Sequence, residues 1–360
     1  MNQVRDQDPR RPLRVLQSFG RPRATTNPYI AMLKECLDQH REVELSTFKW
    51  RRALTEDFDV FHAHWPEILV GGPKPIKKAV RQILFLIMLI RFRVRGTTIV
   101  RTQHNLELPE GISRRETALL KLFERSTTLL IRLNAQTEIR QRPFVTIVHG
   151  HYRDWFADYP RAERQPGRFA YFGLIRRYKA VDTLLAAFRQ LPTDGEPVSL
   201  YVGGQPSTEE LRTEVAALAA GDSRIEAHLE FLSDAELVAA ATAAELVVLP
   251  YREMHNSGSV LAALSLDRPV LVPDNEVNQA LAEEVGGGWV NRYEPPLTAE
   301  RLLDTLHSGR HRPSDATPDL SRRNWSQTAD DHVRAYRLAV SISGTAGSRR
   351  GRRRARATPF

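Results

Sequence analysis

Cysteine is all but missing from this chain. Cys36 stands alone in 360 residues, so neither an intramolecular disulfide nor a CxxC metal site can form. It sits among helix formers (MLKECLDQH), where a buried structural thiol is expected rather than a nucleophile, and one cysteine is compatible with a reducing compartment. Long apolar runs are missing too. The opening MNQVRDQDPRRPLRVLQSF has no apolar stretch of signal-peptide length, and no segment reaches the roughly 18 apolar residues of a spanning helix. A cytoplasmic protein is therefore expected. Acidic residues are in deficit, 43 against 52 basic ones, for a formal net charge of +9. That excess resembles a nucleic-acid footprint until its position is seen. Arg349, Arg350, Arg352, Arg353, Arg354 and Arg356 lie together in GTAGSRRGRRRARATPF, which has no apolar pattern and reads as a disordered basic tail over 344–360. General attraction to anionic surfaces suits such a tail better than specific nucleic-acid reading, and no specific nucleic-acid partner is expected.

What is present is a folded α/β chain. With 41% hydrophobic and 26% charged residues, its length suits two domains of about 150 residues each. Short apolar strands alternate with helical stretches: strands at Leu13–Leu16, Val43–Leu45, Val60–Ala63, Thr97–Val100, Thr128–Leu133 and Phe144–Val148, with helices over 28–40 and 114–124. After the polar stretch YPRAERQPGR (159–168) the alternation begins again. Strands are expected at Phe169–Phe172, Val198–Val202, His228–Phe231, Glu245–Leu249 and Pro269–Val272, with helices over 181–191, 209–219, 234–243 and from Ser259. Such alternation implies βαβ units and mainly parallel sheets, whose ligands bind beyond the carboxyl ends of the strands. The expected division is a flexible 1–12, a first domain over 13–165, a second over 166–320, a terminal helix over 321–343, and the tail. In that helix Trp325, Ala329, Val333 and Tyr336 fall at helical spacing.

Three segments together resemble GT-B glycosyltransferases, specifically the GT4-like group and its bacterial exopolysaccharide and lipid-linked-sugar relatives. The first, Phe172-Gly173-Leu174-Ile175-Arg176-Arg177-Tyr178-Lys179-Ala180-Val181-Asp182, is similar to the strand–loop–helix that opens the family's donor domain. The second runs from Leu249-Pro250-Tyr251 through Ser257-Gly258-Ser259 to Asp267-Arg268-Pro269-Val270. The third is the N-terminal pair HAHWPE (62–67) and TQHNLELPE (102–110). The likeness covers roughly residues 13–340. It implies two Rossmann-like domains facing a cleft, with a C-terminal helix returning to the first. It further implies transfer of a hexose, of mannose or glucose type, from a GDP- or UDP-linked donor to an acceptor in exopolysaccharide or glycolipid synthesis. Neither a cofactor nor a metal is expected. A catalytically degenerate relative, binding a nucleotide or glycan as a partner subunit, is the alternative.

The chemistry points to the same loops. A nucleoside diphosphate leaving group gains negative charge as the glycosidic bond breaks, and fixed cations and N–H groups stabilise that charge. Arg176 and Lys179, between a strand and a helix, are candidates for this clamp, whereas Arg177 suits a surface ion pair. Asn256, Ser257, Gly258 and Ser259 open a helix whose unpaired N–H groups suit an anion, although a plain serine N-cap would start it equally well. The family pattern carries two glutamates spaced E-x7-E here. This chain has Met254 and Ala262 in their places, with Glu253 one residue off and able to substitute for the first only if the loop shifts. His104, at a strand end, is the candidate base for the acceptor hydroxyl; binding the donor sugar and capping the strand are its other readings. Glu107, Glu110 and His64 remain open for the base role, and His149-Gly150-His151 stands one layer further out.

Residues 74–95 hold eight consecutive apolar residues, Ile83 to Ile90, flanked by Lys74, Lys77, Lys78, Arg81, Arg91, Arg93 and Arg95. The segment is too short to span a bilayer and suits a helix lying in the headgroup region; a core helix with snorkelling basic ends is the competing reading. An anionic membrane surface, at the inner face of the plasma membrane, is the expected partner beside the donor and a lipid-linked acceptor.

Overall fold

The computed structural model describes residues 11–23, 26–105, 108, 111–139, 142–311 and 315–355. The chain forms two compact units, one of residues 1–150 with 323–360 and one of residues 151–322. The division falls at Gly150/His151, upstream of the polar stretch where composition placed it. Residues 151–165 belong with the second unit because their polar groups are satisfied there: the Tyr152 N–H donates to Ser265 Oγ and the Ala162 N–H to Thr242 Oγ1.

The first unit contains β1 (Leu13–Gln17), α1 (Pro28–Asp38), β2 (Val43–Ser46), α2 (Trp50–Thr55), β3 (Val60–Ala63), α3 (Glu67–Val70), α4 (Pro75–Arg95), β4 (Thr98–Gln103), α5 (Arg114–Ser126), β5 (Leu129–Arg132) and β6 (Phe144–Thr146). Its six strands are all parallel, in the order β2-β1-β3-β4-β5-β6. The order reverses between β1 and β3, so ligands are expected at their carboxyl ends. Local chemistry sets the helix starts. Asn27 caps α1 with Pro28 next to it, and Ser113 with Glu116 forms a capping box on α5.

The second unit contains α6 (Arg153–Phe156), β7 (Arg168–Phe172), α7 (Val181–Arg189), β8 (Ser199–Gly203), α8 (Glu209–Ala220), β9 (Ile225–His228), α9 (Asp234–Ala243), β10 (Leu246–Val248), α10 (Gly258–Ser265), β11 (Val270–Pro273), α11 (Glu276–Val285), β12 (Val290–Tyr293) and α12 (Ala299–Gly309). Its six parallel strands run β12-β11-β10-β7-β8-β9, the dinucleotide-fold order, with the reversal between β7 and β10. Strand β9 lies earlier than the expected His228–Phe231. Ile225–His228 pairs in register with Leu200–Gly203, and Phe231 is left outside the sheet and exposed.

The chain then returns to the first unit as α13 (Trp325–Ala355), which packs on α1, β4 and β5. It begins at Trp325 rather than 321, because residues 321–323 form a single 3-10 turn. It also runs past the expected end at 343, into the basic segment read as disordered. Ala and Arg are good helix formers, and no proline interrupts the run before Pro359. Arg356 lies outside the described residues.

Helix α4, which spans most of 74–95, has two faces. Phe85, Met88, Leu89 and Phe92 are buried in the first unit's core with Phe61, Ile99 and Phe123. On the other side Ile76, Val80, Ile83, Ile87, Ile90 and Val94 are all exposed, Ile76 at 81% and Val94 at 77%. Among the described residues no helix is long and apolar enough to cross a membrane.

Candidate functional site

In the second unit the carboxyl ends of β7 and β10 gather most of the predicted donor residues. After β7 the backbone turns at Gly173, with φ +118°, and approaches the next strand closely. A Cβ on Gly204 would stand 1.9 Å from the Gly173 carbonyl oxygen, and one on Gly173 would stand 3.1 Å from Ser259 Oγ and 3.5 Å from Lys179 Nζ. Glycine is therefore required at Gly204, and the Gly173 backbone lies bare beside a cation and a hydroxyl. Lys179 is only 9% exposed, and its ammonium lies 4.9 Å from the ring centre of Tyr251. Among the described residues no carboxylate pairs with it. A buried charge normally has a counter-ion, so this one is suited to an arriving anion. Tyr251 Oη donates to Ser259 Oγ at 3.4 Å, which ties the loop after β10 to the start of α10.

Ser257 caps α10 by accepting from the Val260 N–H at 3.4 Å, so its hydroxyl serves the ordinary capping role. Gly258 is the first helical residue, close to Tyr152 Oη, and from Val260 to Ser265 the helix is buried with its amino end at the strand ends. Arg176 is exposed, and no ion pair engages it among the described residues. Arg177, by contrast, is paired with Glu214, the surface role foreseen for it. Glu253 is exposed while Met254 beside it is buried, its carbonyl accepting from Asn275 Nδ2 at 3.0 Å. The loop thus turns Met254 inward, and Glu253 is not gathered with Lys179 and Ser259.

In the first unit the ends of β1, β3 and β4 carry a cluster of histidines. His104 follows β4. Its Nε2 lies 3.1 Å from His64 Nδ1, its ring stacks on Trp65 at 4.2 Å, and Tyr29 meets it edge-on. Burial, then the charges of His149 and Arg101, push its pKa down to about 3, so it is neutral near pH 7. His62 and His64 are held well below the usual histidine range, again mainly by burial. His149 packs on Tyr29, which also packs on Trp325 of α13. Within His149-Gly150-His151 the first two residues belong to this unit and His151 to the other. Glu107 and Glu110 lie outside the described residues. Tyr251, Gly204, Gln17 and Tyr336 were not singled out as site residues. Tyr251 had a signal, as a ring directly after a strand; the other three meet the site only in three dimensions.

The chain is similar over nearly its whole length to two GDP-mannose:glycolipid 4-beta-D-mannosyltransferases of Xanthomonas campestris, 43% identical over 333 residues, which is 92% of this chain and 94% of each relative. The family model for glycosyl transferases group 1 matches residues 166–308. The chain is a glycosyltransferase of this family. Solved structures agree on the fold. The Anabaena HepE protein in complex with UDP and glucose aligns with a TM-score of 0.53 at 15% identity, covering 94% of this chain and 99% of that one. The catalytic domain of starch synthase IV from Arabidopsis thaliana, bound to ADP and acarbose, aligns with a TM-score of 0.63 at 10% identity, covering 92% and 100%. The expected GT-B class of two Rossmann-like domains is borne out, and the enzyme is a hexosyltransferase. The degenerate-subunit alternative gains no support.

Proposed function

We propose that this glycosyltransferase moves mannose from GDP-mannose to a glycolipid acceptor, with inversion, while resting on an anionic membrane surface. The relatives' printed activity supports the donor and acceptor. GDP-mannose carries its sugar in α linkage, so a β product requires one displacement at the anomeric carbon. Loss of the E-x7-E pair at Met254 and Ala262 fits departure from the family's usual pattern. The observation that carries the reading is Lys179, a nearly buried cation that no carboxylate among the described residues pairs with, beside the bare backbone of Gly173. Lys179 and Arg176 neutralise the departing diphosphate, aided by the amino end of α10 with Asn256, Gly258 and Ser259. His104 takes the acceptor's proton. Its depressed pKa keeps it in the accepting form at neutral pH, at some cost in basicity. No metal or other cofactor enters this scheme.

The exposed stripe of α4 supports the membrane contact. Its residues recur at intervals of four and three, and Lys74, Lys77 and Arg93 of the same segment are exposed with no ion pair among the described residues. Apolar side chains for the acyl boundary with cations for the headgroups is the pattern of an interfacial helix.

A thermal-shift panel of GDP, UDP, ADP and their sugar conjugates tests the donor. Ligand at 100 times its Kd stabilises by about 2.7 kcal/mol. GDP and GDP-mannose should shift the melting point most, and Lys179→Ala and Arg176→Ala should each diminish the shift. A preference for UDP, or no shift with any nucleotide, would sink the GDP-mannose reading.

A further inference from the structure

Lys179 has an unusual neighbour for a nearly buried cation. Where a carboxylate is expected, it has the buried ring of Tyr251, with the ammonium over the ring at 4.9 Å from its centre. That ring is fastened from several sides. Tyr178 meets it edge-on at 6.1 Å, and the Tyr178 carbonyl accepts from the Arg252 N–H at 2.8 Å. Arg252 also pairs with Asp182 at 3.5 Å, so the loop after β10 is joined to the segment between β7 and α7 that carries Lys179. The Tyr251 hydroxyl lies 3.4 Å from Ser259 Oγ. Gly173 is close to both groups that Tyr251 touches: a Cβ there would lie 3.5 Å from Lys179 Nζ and 3.1 Å from Ser259 Oγ.

A ring in place of a carboxylate has an electrostatic consequence. A carboxylate in contact with Lys179 would neutralise its charge and repel an arriving diphosphate. The ring has a negative face but no net charge, so it attracts the ammonium and leaves the cation's field open elsewhere. It also restrains a long, flexible stem. A lysine free to move would have to be ordered when the anion binds, and the lost entropy would weaken binding. An ammonium already held in place carries no such penalty. The ring therefore does what a counter-ion does for a buried cation, without competing with the ligand.

We infer that Tyr251 is a positioning residue of the donor site: the face of its ring holds the Lys179 ammonium beside the bare Gly173 backbone, where it meets the diphosphate. The hydroxyl has a lesser part, bracing Ser259 at the start of α10. The inference rests on Lys179 being a ligand of the diphosphate, yet the two fail differently. Removing the lysine tests the ligand, whereas altering only the electrons of the ring tests what Tyr251 does for it.

The experiment titrates GDP into the full chain in four forms: unmodified, Tyr251→Phe, Tyr251→trifluorophenylalanine with the fluorines on the ring, and Lys179→Ala. Fluorine nearly preserves the shape of the ring but drains its negative face, so a role in packing alone would not register the change. Tyr251→Phe keeps the ring and should bind GDP within about twofold of the unmodified enzyme. The trifluorinated form should bind it about fivefold or more weakly than Tyr251→Phe, the size of effect a buried cation–ring contact allows. Proton spectra of the chain labelled on lysine give a second reading. The Lys179 methylene next to the ammonium should be shifted upfield by the ring, and the shift should persist when GDP is bound. Equal GDP affinity in Tyr251→Phe and the trifluorinated form, with Lys179→Ala clearly weaker, overturns the inference and leaves the lysine in its role. So does loss of the upfield shift on adding GDP, which would mean that the ammonium leaves the ring to reach the ligand. If Lys179→Ala binds GDP as the unmodified enzyme does, it is the reading of Lys179 as a diphosphate ligand that falls.

Discussion

At the residue scale the loop proposed to hold the donor is braced by two glycines. Gly173 and Gly204 lie at the ends of neighbouring strands, and their backbones come close enough that a single carbon fits nowhere between them. Gly204 has φ +149°, which adds backbone strain for any other residue. Gly204→Ala should therefore push the Gly173 carbonyl out of place and carry the whole loop to Lys179 with it. The expected loss of stability is at least about 2 kcal/mol, with nucleotide affinity falling further than stability does. Denaturation with and without GDP would measure both. Full stability with unchanged GDP binding would show that the loop is not braced at this contact. Gly204→Ala thus separates a braced donor loop from one merely lined by the right side chains.

At the element scale helix α4 divides cleanly into a face that holds the fold and a face that does not. Phe92 is fully buried against the first unit's core, so Phe92→Ala should cost about 3–5 kcal/mol. Ile83 and Ile87 are exposed on the opposite side, so replacing both with glutamate should leave the melting point nearly unchanged. The same pair should sharply reduce co-sedimentation with vesicles containing anionic lipid, through lost apolar contact and added repulsion. Vesicle binding that survives the double substitution would remove α4 from the membrane contact. Sequence alone left this helix ambiguous because an unbroken apolar run hides its period: core and surface residues are equally apolar, and only packing separates them. Most other elements were legible. Alternation marked the strands Leu13–Leu16, Val60–Ala63 and Phe169–Phe172, and a serine N-cap marked the start of α10. The displaced β9 shows the limit. Glu226 and Ala227 are not strand formers, and tertiary pairing with β8 overrides their propensity. The donor loop was readable because its residues are near one another in the chain. The histidine cluster was not, because Gln17, His62, His64, His104 and Tyr336 are brought together by sheet order and by the return of α13.

At the scale of the whole molecule the two units differ in how they carry charge, and acid should separate them. His62, His64, His104, His149 and His332 all belong to the first unit, and burial depresses the pKa of each, to about 4 for His149 and His332. The folded unit holds them neutral. The unfolded chain takes up their protons below about pH 6.5, so it binds more protons than the folded one between that value and about pH 4. Stability therefore rises with pH across this window and is lost as pH falls. His149 and His332 would each contribute a loss on the order of 3 kcal/mol by pH 4, with the coupled three adding less than the sum of their separate effects. Several such losses exceed what a marginally stable domain holds in reserve. In the second unit His255 alone shows a resolved histidine shift, and it is partly exposed. The first unit should thus unfold first on acidification, while the second keeps its amide protection. Hydrogen exchange followed by mass spectrometry from pH 7 to pH 4 would resolve the two. Equal loss of protection in residues 151–322 and in the first unit would mean that the buried histidines do not govern acid stability. Loss confined to the first unit, reaching α13 together with β1, β3 and β4, would show that the returning helix shares the fate of the histidine cluster it completes.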